Sequence, residues 1–495
     1  MYDDFVKLDS APFYKNESGT DKKCHLLWGD GVFYQDSSVV NNRRKVKAPG
    51  YFSPGWVEVN ALGGQSLLEF YFIDVGQGDG VLIKTPGFRH VMIDGGYPRS
   101  QQDTGKNAAD FVDWKFFKDY GMDTIELEAL IASHCDADHY GGLWDLLDVS
   151  QNHELDASDV RVENAYHAGL SWWKSASGSK TLGTSIESGG EDFWTRFISD
   201  RASVSDATSG IGAQLHGWWG SFFKAVLLAK TRSGGATPIK RLSQVDNYLP
   251  EFGPKNLGEP VIRVLGPLEF DINSAPALRK YTGGTSINTN GVSLLMRVDY
   301  GGCRVLLTGD LNKASQTKLL DDYAGTPLEF ACDVAKACHH GSDDISYRFL
   351  QAMSPAVTVI SSGDNEGHDH PRPNVIAASA TTGYMHIEND ELVSPLIFST
   401  ELARSLDLGR PDKFEEKDTS GATTNTISGR ALNRSRLHIT SPDKARKMEK
   451  TLVVGDLIYG LVNVRTDGSK ILCATRDENS KRWRINVINS RFSSP

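Results

Sequence analysis

The alternation of apolar and polar positions divides the chain into strand-rich ends and a strand–helix middle. Residues 1 to about 66 carry short strand-like pieces, "CHLLWGDGVFYQ" and "RRKVKAPGYFSPGWVEV", broken by Gly, Pro and Asp. They predict a separate β-rich module with the outline of a small SH3-like barrel. From Leu67 the pattern changes: "LLEFYFIDVGQGDGVLI" and "RHVMIDGG" read as two buried strands joined by "KTPGF", a hairpin entering a sandwich. "NAADFVDWKFFKDYGM" has helical spacing, "TIELEALIAS" reads as a strand, and "GGLWDLLDVS" restarts as a helix. A strand, then a polar loop, then a helix is the arrangement of an α/β active-site edge.

Between about 150 and 285 the pattern turns irregular and aromatic, with "SWWKSASGSK", "EDFWTRFISD" and "HGWWGSFFKAVLLAK". These rings either pack an insertion against the main body or form a cap whose faces meet a substrate. Strand patterns return in "NGVSLLMRVDY", "CRVLLTGDL", "EFACDVAKACHHGS" and "PAVTVISSGDNEGHDHPRP". The polar segment 407–436 reads as a linker. Residues 437–495 read as a small C-terminal β-module, with a turn at Asp467-Gly468 and alternation at Trp483, Ile485 and Val487. The central unit thus spans 67–406.

Composition narrows the class without changing this outline. At 495 residues, 39% hydrophobic and 23% charged, the chain is an ordinary globular protein long enough for several domains. No apolar run approaches the ~20 residues of a bilayer crossing, and no secretion signal is legible, so the expected location is the cytoplasm. Six cysteines show no C-x-x-C pairing, which argues against a cysteine zinc knuckle and against disulfides. The net charge of -10 argues against a broad basic nucleic-acid surface. A polyanionic substrate stays open, because divalent cations supply positive charge locally.

The candidate chemistry begins in "IASHCDADHYGG". His134 and Asp136 share a side because alternate residues of an extended chain do. Asp138 and His139, entering a helix, can diverge toward a second point, which favours two metal ions over one. Alone, the cluster is also compatible with a helix cap and turn. Three further segments carry ligand types at strand ends: Asp310 in "VLLTGD", able to bridge two cations; His339 and His340 in "KACHHGS"; and His368 and His370 in "GDNEGHDHPRP". His25, His90, His386 and His438 have no ligand partner nearby and read as structural, and Gly455-Asp456 reads as a turn.

This ordered set, from "FIDVGQGDGVLI" and "MIDGG" through "SHCDADHYGG", "NTNGVSLLM" and "VLLTGD" to "HHGS" and "HPRP", resembles the metallo-β-lactamase superfamily. Within it, the set is similar to the soluble hydrolase domain of the ComEC competence family, over roughly residues 70–406. The resemblance implies an α/β fold, an αββα sandwich with metals at its strand-end edge. It also implies His134, Asp136, Asp138, His139, Asp310 and His339 as metal ligands. His340 becomes a neighbour of the ligands, and Asp94 of "IDGG" a support for the ligand loop. Asp136 stands where the wider superfamily has histidine, and this hard oxygen tilts the expected ions from zinc toward manganese or magnesium. The third-motif histidine is absent: between Gly142 and Asp310 only His153, His167 and His216 occur, none in the expected Gly/Pro setting.

Two cations sharing Asp310 would lower the pKa of a bridging water, so no protein nucleophile is needed. Asp138, Asp310 and His370 are the expected catalytic groups. His370 is read as contacting a phosphate oxygen, protonating the leaving group, or capping a turn before Pro371. Ser342 and Arg372 are expected phosphate contacts and His368 a neighbour. The expected activity is a metal-dependent phosphodiesterase or nuclease acting on DNA or RNA. A hydrolase of a small ester, lactam or cyclic nucleotide is one alternative, and a non-catalytic binding protein is another. The terminal β-modules suggest a protein partner.

Overall fold

The computed structural model describes residues 2–401 apart from 52, 103, 257, 364–367 and 369, then 413–417, 420, 422–428, 460–476 and 483–492. Its first six strands, Asp4–Phe5 to Gly55–Glu58, pair into one sheet around Val6, Phe13, Val32, Val46 and Val57.

The main body follows. Strands β1 (Leu68–Phe72), β2 (Val81–Lys84) and β3 (His90–Ile93) pair antiparallel in succession. The run read as one strand is therefore two, because Gly76 and Gly78 adopt φ of 69° and 118° and turn the chain through "DVGQGDG". Helix α1 (Ala108–Asp113) continues into a π-helical stretch over Trp114–Tyr120. The "TIELEALIAS" strand is also split. Thr124–Leu127 pairs with Asp159–Val162, whereas β4 (Ala129–Ala132) joins β3 in parallel. After β4 come α2 (Ala137–Leu147), β5 (Ala165–His167), α3 (Gly217–Leu228) and β6 (Ile239–Arg241).

A second sheet holds, in spatial order, β7 (Val261–Gly266), β8 (Leu295–Tyr300), β9 (Cys303–Leu307), β10 (Val334–Lys336), β11 (Val357–Ile360) and β12 (Leu396–Ser399). Phe70, Ile83, Val91 and Ile131 of the first sheet pack with Val264, Met296, Val305 and Val357 of the second in one buried core. Their other faces are covered by helices, with Val112, Leu143, Phe222 and Val226 on the first sheet and Leu319, Phe349 and Val375 on the second. Two sheets face to face between helical layers is the αββα arrangement, and it accounts for strands buried on both faces.

The C-terminal strands do not form the separate module their sequence suggests. Here β13 (Val462–Thr466) pairs antiparallel with β1, followed outward by β14 (Lys470–Arg476) and β15 (Trp483–Asn489), so the first sheet has nine strands. Alternation predicts a strand but not its neighbour, and the neighbour is remote in the chain. Arg465 fastens the join: its guanidinium donates to Trp28 O at 2.7 Å and Asp30 Oδ1 at 2.6 Å and lies 3.6 Å from Glu69.

Of the expected linker, Lys413–Lys417 and Thr423–Ser428 form an antiparallel hairpin, and the remainder lies largely outside the described residues. His438 and Gly455-Asp456 also lie outside them. Among the described residues no helix is long and apolar enough to cross a membrane.

Candidate metal centre

The first ligand-rich loop leaves β4 and enters α2. Asp138 and His139 sit in the helix's first turn, where the helix dipole favours a carboxylate. The helix is pressed against the loop after β3: Gly95 N–H donates to His139 O at 2.6 Å and Gly142 N–H to Gly96 O at 3.0 Å. A Cβ on Gly142 would lie 2.1 Å from Gly95 O, which explains the glycine pair after the ligands.

Asp94, at φ 56°, accepts from Ser133 N–H at 2.7 Å and binds His139 Nδ1 at 2.8 Å. That contact leaves His139 Nε2 facing the second sheet, 3.3 Å from Asp310 Oδ2.

Asp310 follows β9, with its N–H donating to Ser293 Oγ at 3.1 Å. After β10 the chain turns at two successive left-handed residues, His339 at φ 47° and His340 at φ 52°. Such backbone is uncommon for non-glycine residues and costs energy. The two imidazoles consequently reach different partners. His340 Nε2 lies 3.0 Å from Asp310 Oδ2 and 3.5 Å from Asp138 Oδ2. His339 Nε2 lies 3.8 Å from Asp310 Oδ2 and 3.3 Å from the Asn290 amide.

Asp310 Oδ2 therefore meets His340, His139 and, at the longest distance, His339. Asp138, His139, Asp310 and His340 offer ligand atoms that all lie within 4.8 Å of one another. His340, read from sequence as a neighbour of the ligands, belongs to this group, and His339 does not. His134 Nε2 lies 3.6 Å from Asp136 Oδ2, and Asn290 stands between Asp136 and His339. Turned so that its oxygen accepts from His339, the Asn290 amide donates to Asp136 Oδ2 at 3.1 Å. Asn290 and Thr289, whose hydroxyl donates to Asp136 Oδ2 at 2.6 Å, come from α4 (Thr285–Gly291) and occupy the region where a third-motif histidine was sought. His153 is exposed, His167 is buried against Phe223, and His216 lines the cleft.

The donors fit divalent ions. His139 Nε2, His340 Nε2 and Asp310 Oδ1 are buried yet make no hydrogen bond, a costly state that a cation relieves. Burial disfavours the charged imidazole of His139, but Asp310, Asp94 and Asp138 outweigh it and hold the group well above its ordinary value of 6.5. His340 is raised in the same way by Asp310 and Asp79 against burial. Burial likewise opposes ionisation of Asp310, yet His340, His139 and His339 hold it well below the usual carboxylate range. In the metal-free protein these two histidines bind protons that a cation must displace. Metal binding is expected to release protons and to weaken as pH falls from 8 to 6. Calorimetry in buffers of different ionisation enthalpy measures this, and a pH-independent affinity would contradict it.

Behind the cluster lies a network that sequence reading missed. Lys336, 2% exposed, forms an ion pair with Asp79, donates to Gly309 O at 2.9 Å and stands 3.6 Å from Asp310 Oδ1. Asp79 Oδ1 lies 3.1 Å from His340 Nδ1, whose hydrogen bond goes to Ser361 O at 3.2 Å, so a backbone carbonyl does for His340 what Asp94 does for His139. The legible signal was a lysine inside the otherwise apolar strand β10. Gln77 and Trp172 were also missed: the Gln77 amide donates to Asp138 Oδ2 at 3.1 Å and Trp172 Nε1 to Asp136 Oδ1 at 3.1 Å.

The cluster opens into a cleft of about 1000 Å³, lined among others by Asp136, Asp138, Asp310, His339, Ser342, His368, His370 and Arg372. Burial, with His340 and His339 nearby, pushes His370 down to about 3. In the metal-free protein this favours an uncharged, hydrogen-bonding His370.

No protein-family model matches the chain. It is 38% identical over 87 residues to Competence protein ComA of Neisseria gonorrhoeae and 32% identical over 88 residues to ComE operon protein 3 of Bacillus subtilis (strain 168). These stretches are 17% and 18% of this chain and only 12% and 11% of those relatives, so the chain spans a small part of their length. Similar solved structures include Tm1679, a metal-dependent hydrolase of the β-lactamase superfamily, at 13% identity and a TM-score of 0.31, covering 67% of this chain and 95% of that one. A metallo-β-lactamase from Cronobacter sakazakii follows at 12% identity and a TM-score of 0.24, covering 55% and 77%. By the order of its motifs, the layering of its sheets and the competence proteins it matches, the chain resembles the metallo-β-lactamase superfamily hydrolases, and among them the ComEC type.

Proposed function

We propose that the chain is a metal-dependent phosphodiesterase whose substrate is DNA or RNA. The observation that carries this reading is the buried Asp310 carboxylate, whose Oδ2 meets His340, His139 and His339, with His339 joined through Asn290 to the hard oxygens of Asp136. Asp138, His139, Asp310 and His340 would hold one divalent ion, and His134, Asp136, His339 and Asp310 the other. This assignment makes both adjacent histidines ligands and replaces the missing third-motif histidine with His339.

Divalent ions there supply Lewis acidity toward a phosphoryl oxygen and lower the pKa of water to about neutrality. The protein's own residues do the rest. Asp94 and the Ser361 carbonyl would fix the His139 and His340 tautomers with Nε2 inward, with the Asp79 carboxylate beside His340 Nδ1. Neutral His370, Ser342 and Arg372 line the cleft where a phosphate oxygen would be oriented by hydrogen bonds. The nucleic-acid assignment draws support from the ComEC-like order of the motifs and from the match to a relative named as a competence protein.

The test is incubation of metal-loaded protein with labelled DNA, labelled RNA and bis-p-nitrophenyl phosphate, beside metal content by mass spectrometry with and without Asp136→Ala. Polymer cleavage with two ions per chain, reduced in the variant, is the expected result. Cleavage of the small diester alone would point to a small substrate, and silence on all three to a binding protein.

A further inference from the structure

One wall of the cleft is the metal edge of the sandwich. The facing wall comes from the 150–285 insertion, through Trp172, Lys180, His216 and Trp218. These aromatics have divided roles. In α3, Trp219, Phe222 and Phe223 are 1–2% exposed and pack with Tyr140 of α2, the inward stripe of an amphipathic helix. Trp218 stands off that stripe and is 41% exposed, with one neighbouring ring, Trp144, at 6.4 Å. A single exposed aromatic is ordinary on a protein surface.

Its setting is not ordinary. Trp218 lies in the wall of the cleft that Asp136, Asp138 and Asp310 also line. In the same wall Trp172 ties its indole N–H to Asp136 and carries the Lys180 ammonium 4.1 Å over its ring. An exposed indole and a cation that line the same cleft as the candidate ligands match one ligand chemistry: a planar base carrying a phosphate.

We propose that the insertion is a base-stacking platform, with Trp218 as the stacking face and Lys180 as the neighbouring phosphate contact, so that the enzyme acts on unpaired nucleotides. This inference rests on the nucleic-acid phosphodiesterase reading above. Charge supports the single strand over the duplex. A net charge of -10 weighs against neutralising a duplex backbone over the surface as a whole, and favours a grip by stacking and local cations. A paired base has its faces already stacked on its neighbours and cannot present one to Trp218.

The test uses the full chain and fluorescence anisotropy of labelled 12-nucleotide DNA and RNA strands, in chelator so that no hydrolysis occurs, against the same sequences as duplexes. Single strands are expected to bind more tightly than duplexes. Trp218→Ala is expected to weaken strand binding about tenfold, within the range that base–aromatic stacking supplies, and Trp218→Phe to restore most of it. A strand scanned with a single abasic site is expected to lose about as much at one position with the native protein and little further with Trp218→Ala, a coupling that a folding defect would not produce. Equal affinity for duplex and strand, or a Trp218→Ala variant that binds strands as the native protein does, overturns the platform. The DNA and RNA arms show which polymer is preferred. Failure to hydrolyse any diester would instead sink the phosphodiesterase reading, and the binding comparison would still decide this one.

Discussion

Asp310→Ala is expected to reduce diester hydrolysis roughly 1000-fold or more, since a metal centre contributes several kcal/mol of transition-state stabilisation and each ~1.4 kcal/mol is tenfold. The reason is positional. Its Oδ2 faces His340 at 3.0 Å, His139 at 3.3 Å and His339 at 3.8 Å, so removing it strips both proposed ion sites of their shared member. Metal content by mass spectrometry should fall together with activity. Asp94→Asn is the graded comparison: it keeps every proposed ligand but weakens the acceptor at His139 Nδ1, and a loss of about 10- to 100-fold is expected for such an outer partner. An Asp310→Ala protein that keeps two ions and full turnover would refute the shared-carboxylate arrangement.

The second large effect concerns stability. Lys336 and Asp79 are both 2% exposed and form an ion pair, and Asp79 Oδ1 lies 3.1 Å from His340 Nδ1. Replacing the lysine by methionine keeps the volume but leaves Asp79 short of its closest cation and removes one of the cations near Asp310. Unpairing a buried ion pair in this way costs about 3–5 kcal/mol, measured as a fall in the free energy of urea unfolding. The double variant Asp79→Asn/Lys336→Met should recover part of the loss, because it removes the stranded charge along with its partner. A loss below about 1 kcal/mol in Lys336→Met would mean that the pair is solvated or replaceable, and would remove the network from the account of the site.

How much of this was legible depends on how local each signal is. His134, Asp136, Asp138 and His139 lie in six consecutive residues after an apolar strand, and glycine pairs mark where helix and loop backbones touch, so the first ligand loop could be read directly. Asp310 was legible for the same reason, as a carboxylate three residues past a buried strand.

The division of labour between His339 and His340 was not. It is set by two consecutive positive φ angles, and nothing in "CHHGS" announces them. Asp79 and Lys336 were hidden by their surroundings, since a charge inside an apolar strand declares itself only when its partner, far away in sequence, is known. The aromatic insertion was read with both alternatives open, and the structure divides them by residue: Trp219, Phe222 and Phe223 are buried packing, whereas Trp172 and Trp218 line the cleft. The final strands were misplaced for a related reason, because period-two alternation predicts a strand without naming the edge it joins.

That edge has a consequence for how the protein is made. Asn463 of β13 bonds to Phe70 of β1 across 393 residues of chain. On a ribosome adding about 5–20 residues per second, the outer side of β1 waits roughly 20–80 s for its partner. During that interval a long apolar strand, "LEFYF", is available to pair with any nascent neighbour. A fragment ending at residue 406 would keep that edge open permanently. The smallest unit that folds without aggregating therefore has to include the last strands, however far they lie from the metal ligands.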